Sequence, residues 1–94
     1  MSKKPFFTGP FAPLCESYVA QKRASGLDYT QQARLLRMFD NFCKNYEIQN
    51  YTITKKVALE WSKKRSNEAD ATRHSRVSEM QRFSSMFTEV FSSH

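Results

Sequence analysis

The chain has 94 residues, 39% of them hydrophobic, and fifteen Lys and Arg against nine Asp and Glu give a formal charge of +6. That length makes one domain with one modest core, burying about 60–65% of the surface the unfolded chain exposes. No run approaches the roughly 18–20 apolar residues of a membrane span, and Met-Ser-Lys-Lys-Pro-Phe-Phe is too short for a signal peptide, so no membrane partner is expected.

All three prolines (Pro5, Pro10, Pro13) fall in the first thirteen residues. Residues 1–10, with two Lys, two aromatics and a Thr-Gly-Pro break, read as a flexible N-terminal arm, and residues 11–94 as the domain. A first helix starts near Pro13, with Leu14, Cys15, Tyr18 and Val19 apolar and Gly26 as a left-handed cap. A second starts near Asp28, whose carboxylate is placed to cap it, and runs to about Tyr46. Its core face is Tyr29, Leu36, Phe39, Cys43 and Tyr46, widened by Leu35 and Phe42.

Thr54 caps a third helix with Val57 and Trp61 on its buried side, and Ser66-Asn67-Glu68-Ala69 is the next turn. A fourth helix, capped by Asp70, runs to about Phe91 with Val77, Met80, Phe83, Phe87 and Val90/Phe91 as its stripe. The chain therefore reads as all-α, a four-helix bundle. Cys15 and Cys43, with no CxxC pair and no export signal, read as reduced, buried thiols of a cytoplasmic protein.

The fourth helix carries the sharpest functional signal. Its stripe, continued backwards from Phe83, Met80 and Val77, reaches Arg76 and Arg73, so a core face turns cationic. Cations in a first turn oppose the helix dipole by roughly 0.3–1 kcal/mol each, and a phosphate or base edge would account for them. Thr72, His74 and Ser75 add hydrogen-bonding groups. Alternatively, both arginines snorkel over the bundle's end and pair with Glu68 or Asp70.

Lys55, Lys56, Lys63, Lys64 and Arg65 form a second basic group around the third helix, placed to hold phosphates without reading sequence. Residues 55–82 hold eight Lys and Arg against four acids. The polar face of the second helix (Thr30, Gln31, Arg34, Arg37) is a third candidate. Catalytic residues are not expected, since there is no phosphate loop, no GxSxG and no plausible carboxylate pair. Neither a metal site nor a cofactor is expected, because Cys15, Cys43, His74 and His94 are far apart in sequence.

Four stretches in order resemble the N-terminal core-binding domain of tyrosine recombinases, the phage integrases and their relatives. They are Phe11-x-x-Leu14 through Tyr18–Gly26, then Ala33–Phe42, then Thr54–Trp61, then Thr72-Arg73-x-x-Arg76-Val77-Ser78-x-Met80-x-x-Phe83. The resemblance implies a SAM-like orthogonal bundle on one face of double-stranded DNA, with helices two and four near the major groove. Thr30, Gln31, Arg34, Thr72, Arg73 and Arg76 would be the contacts.

The family's catalytic arginines, histidine-x-x-arginine box and tyrosine belong to a separate C-terminal domain that closes the clamp. This chain then reads as an isolated module whose partners are DNA, the catalytic domain of the same parent chain and neighbouring recombinase subunits. On this reading Arg76 enters a groove, and its loss leaves the fold intact. The competing reading is a small helical protein-interaction domain whose basic face is only solvated.

Overall fold

The computed structural model describes residues 5–63 and 65–87. Among them are four α-helices and no strand: α1 (Ala12–Ala24), α2 (Thr30–Phe42), α3 (Lys55–Ser62) and α4 (Asp70–Phe87). The all-α reading of the sequence therefore holds. No helix among the described residues is long and apolar enough to cross a membrane. The expected continuation of the fourth helix to Phe91, with Val90 and the Phe87 side chain, lies outside what is described.

Local chemistry sets most of the helix ends. Pro13 sits in the first turn of α1, where its missing N–H costs no helical hydrogen bond. At the other end Gly26 adopts φ +97°, Gly26 N–H donates to Arg23 O (2.9 Å) and Leu27 N–H to Lys22 O (3.3 Å). That pairing is a Schellman closure, which needs a left-handed residue at this position. Thr54 caps α3, its hydroxyl oxygen accepting from Val57 N–H at 3.2 Å.

Two expected caps differ. Asp28 does not cap α2; the helix starts after Tyr29, which stands at φ 58°. A non-glycine residue there costs of order 1–3 kcal/mol, and burial of the Tyr29 ring and hydroxyl offsets it. Asp70 is the first helical residue of α4 rather than its cap, with Arg73 N–H donating to Ala69 O at 3.1 Å. The second helix also stops short of Tyr46, tightening into a 3-10 turn at Cys43–Asn45.

Aromatic rings build the core. Phe11 stacks on Phe39 with centroids 5.8 Å apart and meets Phe83 edge-on at 6.1 Å; Tyr18 meets Phe83 edge-on at 5.5 Å. Trp61 packs against Phe39 (5.3 Å) and Phe42 (5.2 Å), tying α3 to α2. Cys15 and Cys43 are free, buried thiols. Burial, assisted by the Asp40 carboxylate, pushes Cys43 up to about 12 and Cys15 higher still, so neither is a nucleophile at neutral pH.

The segment expected to be a loose arm is docked over residues 5–10. Phe7 is buried, and the fully buried carboxylate of Asp40 accepts N–H bonds from Gly9 (2.7 Å) and Phe11 (2.7 Å). Lys44 Nζ reaches Thr8 Oγ1 at 2.7 Å, and the Arg37 guanidinium lies 4.9 Å from the Phe6 ring centre. Gly9 is required by this approach: a Cβ there would come 2.3 Å from Asp40 O and 2.6 Å from its Oδ1. Gly9→Ala should therefore lower stability by about 1–3 kcal/mol, as overpacking does. Urea unfolding followed by Trp61 fluorescence measures this, and a variant as stable as its parent would show that the strap is not held against α2.

Candidate nucleic-acid interface

The basic residues singled out by the sequence separate into three environments. On α2, Thr30 and Arg34 are exposed along one outward line with Arg37 and Asn41. Gln31 turns towards α4, where with Gln32 and Leu35 it forms one wall of a groove of about 240 Å³. His74, Ser75, Ser78, Glu79 and Arg82 form the rest of its lining. Gln32 on α2 and Glu79 and Arg82 on α4 are not among the residues that the sequence marks, although Arg82 follows Ser75 and Ser78 at helical spacing.

The second environment is α3 and its exit. Lys55 and Lys56 are exposed in the first turn. Lys63 is exposed and pairs with Glu60 at 2.9 Å, a contact worth little at a solvated surface. The exposed Arg65 guanidinium lies 5.0 Å from the Trp61 ring centre. Lys64 lies outside the described residues. On α4, Thr72 and Arg73 are exposed, and Arg73 Nε donates to Ser62 O at 2.6 Å.

Arg76 is the exception, and here the sequence reading is corrected. Its side chain is 0% exposed, so it cannot reach a groove of DNA. Nε donates to Glu68 Oε2 at 2.7 Å and Nη2 to Glu68 Oε1 at 3.0 Å, a bidentate pair. Nη2 also reaches Lys63 O at 3.0 Å, Nη1 donates to Trp61 O, and the guanidinium lies 4.6 Å from the Trp61 ring centre. Trp61 Nε1 returns a bond to Arg76 O at 3.4 Å.

The physical reason is helix period. Arg76 stands four residues before Met80 and seven before Phe83, both buried, so the stripe stays in the core rather than leaving it. The cation is satisfied there by the carbonyls at the end of α3, where the helix dipole favours positive charge. Pairing with Glu68, one of the two alternatives open in the sequence, is what occurs.

A second buried charge lies where α2 begins. Glu79, 1% exposed, accepts from Tyr29 OH at 2.5 Å and from Arg82 Nη1 at 3.0 Å. The Tyr18 hydroxyl is 3.1 Å from that of Tyr29. Burial, then the bond to Glu79, pushes the Tyr29 phenol well above its ordinary range, so it stays protonated and donating. Among the described residues every buried side-chain polar atom has a partner, and no three of His, Cys, Asp and Glu gather as metal ligands would.

The bond from Arg76, with help from Arg65 N–H, holds the Glu68 carboxyl down to about 2 from an ordinary 4.5. A depressed carboxylate contributes its stability above the ordinary value and loses it as pH falls through about 2. Melting temperature should thus fall across that acid window, and more shallowly in Glu68→Gln. Arg76→Ala should destabilise the domain by about 2–5 kcal/mol, as truncating a large core side chain does. Thermal melts by circular dichroism check both, and an Arg76→Ala protein that melts like its parent would return this side chain to the list of ligand contacts.

Compared with models of known protein families, with curated proteins and with solved structures, the chain matches none of them.

Proposed function

We propose that this chain is a double-stranded-DNA-binding domain of the tyrosine-recombinase core-binding type, one half of a clamp without a catalytic centre of its own. The observation that carries the proposal is the sorting of charge. The carboxylates of Asp40, Glu68 and Glu79 are taken up by backbone amides, Arg76, Tyr29 and Arg82. Arg34, Lys55, Lys56, Lys63, Arg65 and Arg73 meanwhile stand exposed. With those carboxylates engaged, the cations at the surface keep the excess that the formal charge of +6 describes, and such a face attracts a polyanion.

On this reading Thr30, Gln31 and Arg34 of α2 and Thr72 of α4 face the duplex, while the cations of α3 and its exit meet phosphates. The tyrosine nucleophile comes from a C-terminal domain of the same parent chain, and recombinase subunits on one DNA site are neighbours. A reducing, cytoplasmic setting suits two buried free thiols. The competing reading, a protein-interaction bundle, draws on a cleft of about 310 Å³ lined by Phe6, Phe7, Val19, Ala20 and Ala33. Arg23 and Glu16 stand at that cleft with opposite charges, which gives it no preference for a polyanion.

Engagement of about four to six phosphates should make log K fall with log salt at a slope of roughly −3.5 to −5.5. Polarisation titrations with labelled duplex at several salt concentrations measure it. A flat response, or no binding at low salt, would falsify the DNA reading. Incubated with supercoiled plasmid, the chain should leave no nick and no covalent adduct on a denaturing gel; a reproducible adduct would place a nucleophile in this domain.

A further inference from the structure

We infer that the junction of α3 and α4 seats the sugar–phosphate backbone of one DNA strand, and that the buried Arg76–Glu68 pair positions it. The inference rests on the DNA-binding reading and adds to it where the backbone lies and what holds the seat in shape.

A shallow groove of about 480 Å³ runs along this junction, lined by Leu59, Glu60, Ser62, Lys63 and Arg73. Its lining combines the two chemistries of a nucleic-acid backbone, cations and an apolar side chain. Lys63 and Arg73 are cations for phosphate oxygens, and Leu59, 56% exposed in the same lining, offers an apolar surface to a deoxyribose. The one carboxylate in the lining, Glu60, is turned onto Lys63 at 2.9 Å. Arg65, two residues beyond Lys63, is exposed with its guanidinium over the Trp61 ring.

The arginines are held before any ligand arrives. Arg73 spends Nε on Ser62 O at 2.6 Å, which leaves its two terminal nitrogens to form a fork. The Arg65 guanidinium rests 5.0 Å from the Trp61 ring centre, and its backbone N–H donates to Glu68 Oε1 at 3.0 Å. Both anchors, Trp61 and Ser62, are the last two residues of α3, and Arg76 fixes that end by binding Trp61 O, Lys63 O and Glu68. A phosphate therefore meets a preorganised site and orders little on binding.

Trp61 is the sole tryptophan of the chain and lies directly under Arg65, so its emission reports on this site. The full chain is titrated at low salt with random-sequence duplex and, separately, with inorganic phosphate, reading Trp61 emission alongside polarisation of labelled duplex. Duplex binding should change the emission, and Arg65→Ala should abolish that change while the fold persists by circular dichroism. Arg73→Ala should lower the salt slope by about one unit. Arg73→Lys, which keeps the charge but loses the Ser62 anchor, should keep the slope and bind several-fold more weakly.

Glu68→Gln tests positioning through the sign of its effect. Removing a negative charge beside a polyanion site strengthens binding by electrostatics alone, whereas a lost support weakens it. Several-fold weaker binding below the melting transition supports the positioning role, and tighter binding overturns it. Duplex that binds without changing Trp61 emission, or with Arg73→Ala leaving affinity and slope intact, overturns the seat. So does an emission change produced by inorganic phosphate and not by duplex. A wild-type chain that binds no duplex at all sinks the DNA reading itself, which is a different result from any of these.

Discussion

Arg76 and Glu68 form the constraint on which the α3 side of the molecule depends. α3 is only eight residues long, too short to persist as a helix without tertiary support. No glycine follows it to close its C-terminus. The carbonyls that such an end leaves open are instead met by guanidinium groups of α4, with Arg76 on Trp61 and Lys63 and Arg73 on Ser62. Glu68, on the connection between the two helices, balances the buried charge. Without that carboxylate, Arg76 would be a desolvated cation answered by carbonyls alone.

Two other buried carboxylates do similar work elsewhere. Asp40 gathers the amides of Gly9 and Phe11 and so draws the N-terminal strap over α2, which brings the Phe11 ring into contact with Phe39 and Phe83. Glu79 takes the hydroxyl of Tyr29 and fixes the start of α2 against α4. In each case the aromatic core and the polar contact are adjacent and support each other. The rings exclude water, and the excluded water strengthens the hydrogen bond. One outcome of the arrangement is that three of the carboxylates are spent inside the fold of a chain that is already basic.

Much of the helical plan was legible in the residues. Gly26 and Thr54 act through bonds spanning three to five residues, and local chemistry of that kind is readable in a sequence. The aromatics at helical spacing, Tyr18, Phe39, Trp61 and Phe83 among them, are core as their period implies. Two of the pairings that hold the fold are not legible, for one reason. Asp40 meets Gly9 across 31 residues, and Tyr29 meets Glu79 across 50, so neither pairing leaves a local trace.

For polar side chains at core positions, residue type and place on the helix point in opposite directions, and place on the helix decides. Residue type points Arg76 to the exterior and gives no reason to single out Asp40 or Glu79, yet all three are buried. Asp28 has the chemistry of a cap, but with Tyr29 drawn into the core the helix starts one residue later. The basic surface itself was legible in composition. Which cations stay outside was not, because that depends on which carboxylates the fold has drawn in.

The long-range bonds also impose an order in time. A chain leaves the ribosome from its N-terminus, and here each anchored segment is made before the residue that secures it. The strap at Gly9 and Phe11 must wait for Asp40, the entry to α2 for Glu79, and the end of α3 for Arg76. A nascent chain paused between α3 and Arg76 thus presents Trp61 and the open carbonyls of α3 with nothing to close them. The strap has its partner as soon as α2 is made, whereas the entry to α2 and the end of α3 stay open until most of α4 has been synthesised.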